Sequence, residues 1–174
     1  ANSIFKIIRD ENPDYLVMAM DCREPTFRHK MYDLYKANRE SMPEELVSQL
    51  KLIDEMIEGM NIPILRKPGY EADDIMGTLG IKASAEGLET YMVSGDKDLM
   101  QLVSDRIMLY TPGNRFKPTT IYGKSEVSKK WGVNPEKMIE FLALLGDASD
   151  NIPGVNGIGK KTAAKLLGEY GDIQ

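Results

Sequence analysis

The apolar residues of this 174-residue chain change period again and again, and that alternation restricts its fold more than any other feature. Ile4, Ile7 and Ile8 recur at helical spacing, Pro13 ends the pattern, and 15–20 reads as a short buried strand. A weakly amphipathic, basic and aromatic stretch covers 26–39. Pro43, Glu44 and Glu45 then open a longer helix through Leu46, Leu50, Ile53, Met56 and Ile57 to Gly59, with the acids beside its positive dipole end. Strand signals follow at 62–65 and 90–93, a helix at 71–86 ending on Gly87, and a short helix at 96–103. Two more strands, 107–110 and 119–122, flank a Pro/Gly/Asn turn. Beyond Gly123 only helical patterns remain, at 124–131, 135–145 and 159–170. The expected fold is α/β, a mostly parallel sheet flanked by helices over 1–123, carrying a helical subdomain over 124–174.

Composition narrows the functional classes. The single Cys22 cannot form an internal disulfide, so a cytoplasmic location is the default expectation. No apolar run approaches the roughly 18 residues of a membrane span, so no membrane association is expected. With 22 basic and 27 acidic residues the formal charge is −5, a total that by itself speaks against nucleic acid. His29 is the only histidine, which excludes His-rich metal sites and histidine-based triads. Without a matching base, Cys22 is a poor nucleophile.

Four acidic groups fall in corresponding places. Asp21 ends the first strand, Glu71, Asp73 and Asp74 open the helix after the second, and Asp96 and Asp98 follow the third. Asp147 and Asp150 follow a later helix. Ligands of open parallel sheets bind at the carboxyl ends of the strands, so three of these groups point to one edge. Oxygen donors alone suit Mg²⁺ or Mn²⁺ better than Zn²⁺. Each group also has a simpler reading. Asp96 can be a helix cap, Glu71 and Asp74 can complement a dipole, and Asp21 can pair with Arg23 or Arg28. Independent caps do not predict recurrence after successive strands, and a shared metal site does.

From Arg23 to Arg39 the chain has five Lys/Arg against two acids, locally reversing its overall charge. Arg28, Tyr35, Lys36 and Arg39 suit phosphates and unpaired bases, although a solvated helix face has the same composition. The stretch Gly154-Val155-Asn156-Gly157-Ile158-Gly159-Lys160-Lys161-Thr162 nearly matches a P-loop. Lys161 stands where the magnesium-binding hydroxyl belongs and no strand precedes it, so the nucleotide reading is rejected. A glycine turn opening a helix still presents free N–H groups to a phosphate, with Lys160, Lys161 and Lys165 nearby, and it serves equally as a tight interhelical turn.

Four ordered blocks make the pattern specific: Phe27-Arg28-His29 with Tyr35-Lys36-Ala37-Asn38-Arg39; Gly69-Tyr70-Glu71-Ala72-Asp73-Asp74; Gly95-Asp96-Lys97-Asp98; and Gly146-Asp147-Ala148-Ser149-Asp150-Asn151-Ile152-Pro153-Gly154. Through nearly its whole length the chain resembles the 5′-nuclease domain of bacterial DNA polymerase I, in the flap endonuclease superfamily. The resemblance implies a PIN-like fold and two divalent ions for phosphodiester hydrolysis in replication and repair. Asp21, Glu71, Asp73 and Asp74 would serve the first ion, and Asp96, Asp98, Asp147 and Asp150 the second. It implies that Lys36 and Arg39 approach the scissile phosphate and Tyr35 the 5′ end. Residues 26–43 would form an arch over a single-stranded flap. Residues 143–168, with Gly154, Gly157 and Gly159, would be a helix-three-turn-helix gripping duplex DNA, with K⁺ in the 154–159 turn. The implied partners are DNA with a 5′ flap, a nick or a branch, and RNA primers, acted on by a monomer joined to a polymerase.

The family also begins with a strand ending in a metal-binding aspartate, ahead of the helix in which this chain starts. A fragment is therefore expected, with a structure-specific DNA-binding piece incapable of cleavage as the alternative reading. A small-substrate phosphatase is a third reading, disfavoured by the basic arch and the glycine turn.

Overall fold

A computed structural model of the chain describes residues 2–113 and 117–173. They divide into two compact units. One comprises residues 1–30 and 40–75, the other residues 31–39 and 76–174.

In the first unit, α1 (Asn2–Glu11) precedes a two-residue strand β1 (Met18–Ala19). A single-turn helix α2 (Phe27–Met31) starts in this unit, and α3 (Glu44–Gly59) leads to β2 (Ile64–Leu65). Strands β1 and β2 pair in parallel, Met18 opposite Ile64 and Ala19 opposite Leu65. The expected strand over 15–20 thus shrinks to its last residues, where β2 offers partners. Pro43 sits just outside α3, and its carbonyl accepts the Leu46 and Val47 N–H groups. Glu44 and Glu45 occupy the helix's first turn as expected. Ile57 and Ile62 are buried.

The second unit holds most of the core. Helix α4 (Ala72–Ala85) begins in the first unit, and from Met76 onward it belongs to the second. There Gly77 lies so close to Leu102 that a Cβ would stand 2.7 Å from its Cδ1. β3 (Thr90–Val93) pairs in parallel with β4 (Ile107–Thr111), Thr90 opposite Ile107 and Val93 opposite Tyr110. β5 (Thr120–Tyr122) pairs antiparallel with β4, as expected of an edge strand. The turn expected between β4 and β5 falls partly on residues 114–116, outside the described residues. The expected short helix over 96–103 is a 3₁₀ segment, Asp98–Leu102.

Three helices complete this unit: α5 (Lys124–Trp131), α6 (Met138–Leu145) and α7 (Lys160–Tyr170). Val127, Met138, Phe141, Ala163 and Leu167 from these helices share one buried cluster with Met92, Ile107 and Leu109 of the sheet. Burial on that scale stabilises by about 1.5–3 kcal/mol per large side chain, so the helical tail and the sheet stand on a common core. Among the described residues no helix is long and apolar enough to cross a membrane.

Candidate metal centre and its basic flank

Each unit carries its own acidic cluster. In the first, Asp21 leaves β1 exposed and Oδ1 accepts the Ala72 N–H at 2.7 Å, one of the unpaired donors that open α4. Asp74 takes the Glu71 N–H at 2.9 Å. Arg28 clamps the same carboxylate bidentately, 2.8 Å at each oxygen, and stands 4.0 Å from Glu71. Its guanidinium also lies 4.6 Å from the Phe27 ring centroid, and Phe27 packs against Tyr70. Asp21 and Asp74 thus each accept an N–H at the start of α4, a capping contact that the sequence reading gives to Asp96 and not to these two. Arg28 bonds to Asp74, not to Asp21. Asp73 stands in the first turn of α4 beside Asp74.

In the second unit, Asp98, Asp147 and Asp150 each offer a carboxylate oxygen within 4.8 Å of the others. Asp96 stands behind them as a cap, accepting the Asp98 N–H at 2.9 Å. The loop that brings Asp147 and Asp150 in is fixed by backbone contacts. Asp147 and Ile152 exchange two 2.8 Å hydrogen bonds. Gly146, at φ 75 and ψ 177, and Gly154 pass so close that a Cβ on either would meet backbone atoms at 2.2 and 2.3 Å. Only glycine fits both places.

Lys97 reaches across to Asp147 at 2.6 Å and stands 3.7 Å from Asp98. Burial alone would lower its pKa, but the bond to Asp147 and the charges of Asp98, Asp147 and Asp96 raise it. Asp147 moves the other way. Burial opposes ionisation, and the Lys97 bond with the Ser149 N–H at 2.8 Å holds its carboxyl below the ordinary value. Burial and the charge of Asp96 push Asp98 up, with Lys97 only partly offsetting them. Asp98 Oδ1 is buried and accepts no hydrogen bond. A hard cation satisfies such an orphaned oxygen among three carboxylates, so this donor set fits a divalent ion.

The basic segment 31–39 is bolted to this loop. Tyr35 is buried, and its hydroxyl donates to Asp150 at 3.0 Å. Arg39 donates to the other Asp150 oxygen, Oδ1, at 2.5 Å, and Lys36 Nζ lies 3.9 Å from Oδ2, the oxygen that Tyr35 bonds. Asn38 donates to the Ala148 carbonyl and Asn151 to the Leu34 carbonyl, both at 2.8 Å. Tyr32 adds a bond to the Asn151 carbonyl. Lys36 and Asn151 both hold positive φ, 56° and 58°, which Asn tolerates better than Lys. A cavity of about 410 Å³ opens beside Asp147, lined in part by Tyr32, Asn151 and Pro153.

Sequence reasoning missed Lys97, Asn38, Asn151 and Tyr32. The alternation Asp96-Lys97-Asp98 is the one local signal that could have marked Lys97. The glycine turn 154–159 leads straight into α7 with no strand before it, in keeping with rejection of the P-loop. Lys161 and Lys165 are exposed on α7. Lys160 is turned toward the carbonyl of Lys130.

Comparison with known proteins agrees with this architecture. Residues 1–132 match the 5′-3′ exonuclease N-terminal resolvase-like domain, and 133–174 match the 5′-3′ exonuclease C-terminal SAM fold. The chain is 46% identical to DNA polymerase I of Rhizobium leguminosarum over 99% of its own length and 17% of that protein. It is 42% identical to the thermostable DNA polymerase I of Thermus thermophilus, covering 100% of this chain and 20% of the relative. A 5′-3′ exonuclease of Aquifex aeolicus is 41% identical over 98% of this chain and 58% of its own length. The chain therefore spans about a fifth of the polymerases and somewhat over half of the exonuclease. Among solved structures, the bacteriophage T5 5′-exonuclease with bound zinc has a TM-score of 0.78 at 22% identity, with 98% of this chain and 66% of that one covered. The T5 flap endonuclease in complex with DNA and metal ions has 0.80 at 21%, covering 99% and 66%. These likenesses support the fold, and the family models with the relatives carry the assignment: the chain belongs to the 5′-3′ exonuclease family.

Proposed function

We propose that this chain is the nuclease part of a divalent-metal-dependent 5′-3′ exonuclease and 5′-flap endonuclease that hydrolyses phosphodiester bonds of DNA and of RNA primers. The observation that carries this reading is the Asp98, Asp147 and Asp150 cluster, with its orphaned Asp98 oxygen, flanked by Tyr35, Lys36 and Arg39. A carboxylate cluster alone would repel a phosphodiester, whereas cations beside it can hold one. Asp96, Asp98, Asp147 and Asp150 would hold one Mg²⁺ or Mn²⁺, and Asp21, Glu71, Asp73 and Asp74 another. Such ions supply a nucleophilic water at neutral pH and stabilise charge on the leaving oxygen, which is why no histidine or covalent nucleophile is needed.

The chain's own residues position the substrate. Lys36 and Arg39 neutralise the scissile phosphate, Tyr35 borders the 5′ end, and Arg28 contributes to DNA binding. The N–H groups of the turn at Gly154, Gly157 and Gly159, with Lys161 and Lys165, bind the duplex backbone, and K⁺ in that turn would add to the attraction. Residues 124–174 act as the DNA-gripping part and also supply Asp147 and Asp150, while 1–123 carries the other metal-holding acids and the basic segment. Specificity comes from DNA shape and a free end, because these contacts reach backbone and unstacked bases. We further infer a cytoplasmic monomer.

The test is release of a 5′ flap from a labelled duplex in Mg²⁺. Wild-type protein should release it, and Asp147→Asn should be at least about 100-fold slower, as loss of a metal-held transition-state contact implies. Equal rates for the two proteins would sink the assignment.

A further inference from the structure

The first residue of α7 makes contacts that DNA binding does not explain. A lysine there sits at the positive end of its own helix dipole, an unfavourable place for a cation. Lys160 resolves this by reaching away from α7. Its ammonium donates to the carbonyl of Lys130, in the last turn of α5, and stands 4.5 Å from the Trp131 ring centroid. It thus exchanges a repulsive helix end for an attractive one and gains an aromatic face. Lys130 extends the series, lying 4.2 Å from the Tyr122 centroid and donating to the Tyr122 hydroxyl at 2.8 Å. Trp131 is held in place by an edge contact with Phe141 at 5.6 Å and by its N–H on the Met100 sulfur. Beside it Gly132 leaves α5 at φ 78, where a Cβ would come within 3.1 Å of Ala164 on α7.

We propose that Lys160 is a positioning residue that staples the start of α7 to the end of α5. Stapled in this way, the 154–159 turn and the exposed Lys161 and Lys165 are presented to a nucleic-acid backbone in one orientation. The role rests on the DNA-binding reading above and adds to it. Lys160 acts through Trp131 and the Lys130 carbonyl and touches no phosphate.

Trp131 is the chain's single tryptophan, so all tryptophan emission comes from the ring that Lys160 faces. Flap-duplex affinity should be measured in chelator over a salt series for wild type, Lys160→Gln, Lys160→Arg and Lys161→Gln, together with Trp emission of the free proteins. Lys160→Gln should change Trp131 emission and weaken binding about two- to fivefold, the loss of one cation–aromatic contact. The slope of log affinity against log salt should stay the same. Lys160→Arg should restore both emission and affinity. Lys161→Gln should leave emission unchanged and reduce the slope by about 0.9, as removal of a phosphate contact requires. A slope reduced by that amount in Lys160→Gln, unchanged emission, or altered emission with unchanged affinity would each overturn the proposal. Failure of wild type to bind the duplex would overturn the DNA reading instead, while the emission of Lys160→Gln would still decide whether the staple exists.

Discussion

Asp98 is where the second acidic cluster is least comfortable. One oxygen is buried without a hydrogen bond, and Asp96, Asp147 and Asp150 all raise its pKa by their charge, after burial itself. A carboxyl whose folded pKa is raised destabilises the fold once ionised. The penalty starts as pH rises through the ordinary carboxylate range and is complete above the raised folded value. Asp98→Asn in chelator should therefore be more stable than wild type at neutral pH. The gain should be no more than about 1 kcal/mol, because the side chain is 42% exposed and water screens it. Urea unfolding should show the gain at pH 7 and its disappearance in acid, where the wild-type carboxyl is protonated in both states. The same variant should lose flap cleavage. A variant less stable at pH 7 would mean that the repulsion is already compensated within the chain.

The 146–154 loop delivers Asp147 and Asp150 because two glycine backbones cross in it. At Gly154 a methyl group would stand 2.3 Å from the Leu145 carbonyl oxygen, which has no room to move away from the end of α6. Gly154→Ala should cost about 1–3 kcal/mol, read as a lowered melting temperature, and should displace the two aspartates. A variant melting like wild type would show that the loop tolerates opening at that point. The elements around this loop were largely legible in the sequence. Periodicity and caps gave α1, α5 and α7 nearly to the residue, because those signals are local. The 15–20 strand came out too long because an apolar run does not reveal which residues find a partner, and β2 supplies only two. Lys97 with Asp147, and Asn38 with Ala148, join residues 50 and 110 positions apart, so no local pattern marks them. Asp21 and Asp74 were ambiguous for another reason. A carboxylate that caps a helix is the same residue type, in the same place, as one that holds a metal.

Charge acts on the whole molecule. A formal −5 repels DNA at long range, yet the acids of the motif blocks fall in two clusters, while 31–39 and the start of α7 offer cations. Within the second unit, Tyr35, Lys36 and Arg39 are all directed at Asp150. A phosphate arriving there competes with that carboxylate for the same donors. A divalent ion, if held by Asp98, Asp147 and Asp150, would remove the competition, since it would take the carboxylate oxygens and leave Lys36 and Arg39 to the phosphate. Metal and DNA binding should therefore be positively coupled, each raising the other's affinity by the same factor. Flap-DNA affinity of a cleavage-deficient variant such as Asp147→Asn would be weakened at the metal itself, so the coupling is best read with wild-type protein and a flap whose scissile linkage is non-hydrolysable. At constant ionic strength, Mg²⁺ should tighten binding at least about fivefold over chelator, the lower end of ordinary coupling energies. The effect should shrink in Arg39→Gln, where the donor that Asp150 and the phosphate share has been removed. Equal affinities in Mg²⁺ and chelator would mean that the basic segment never has to choose between them.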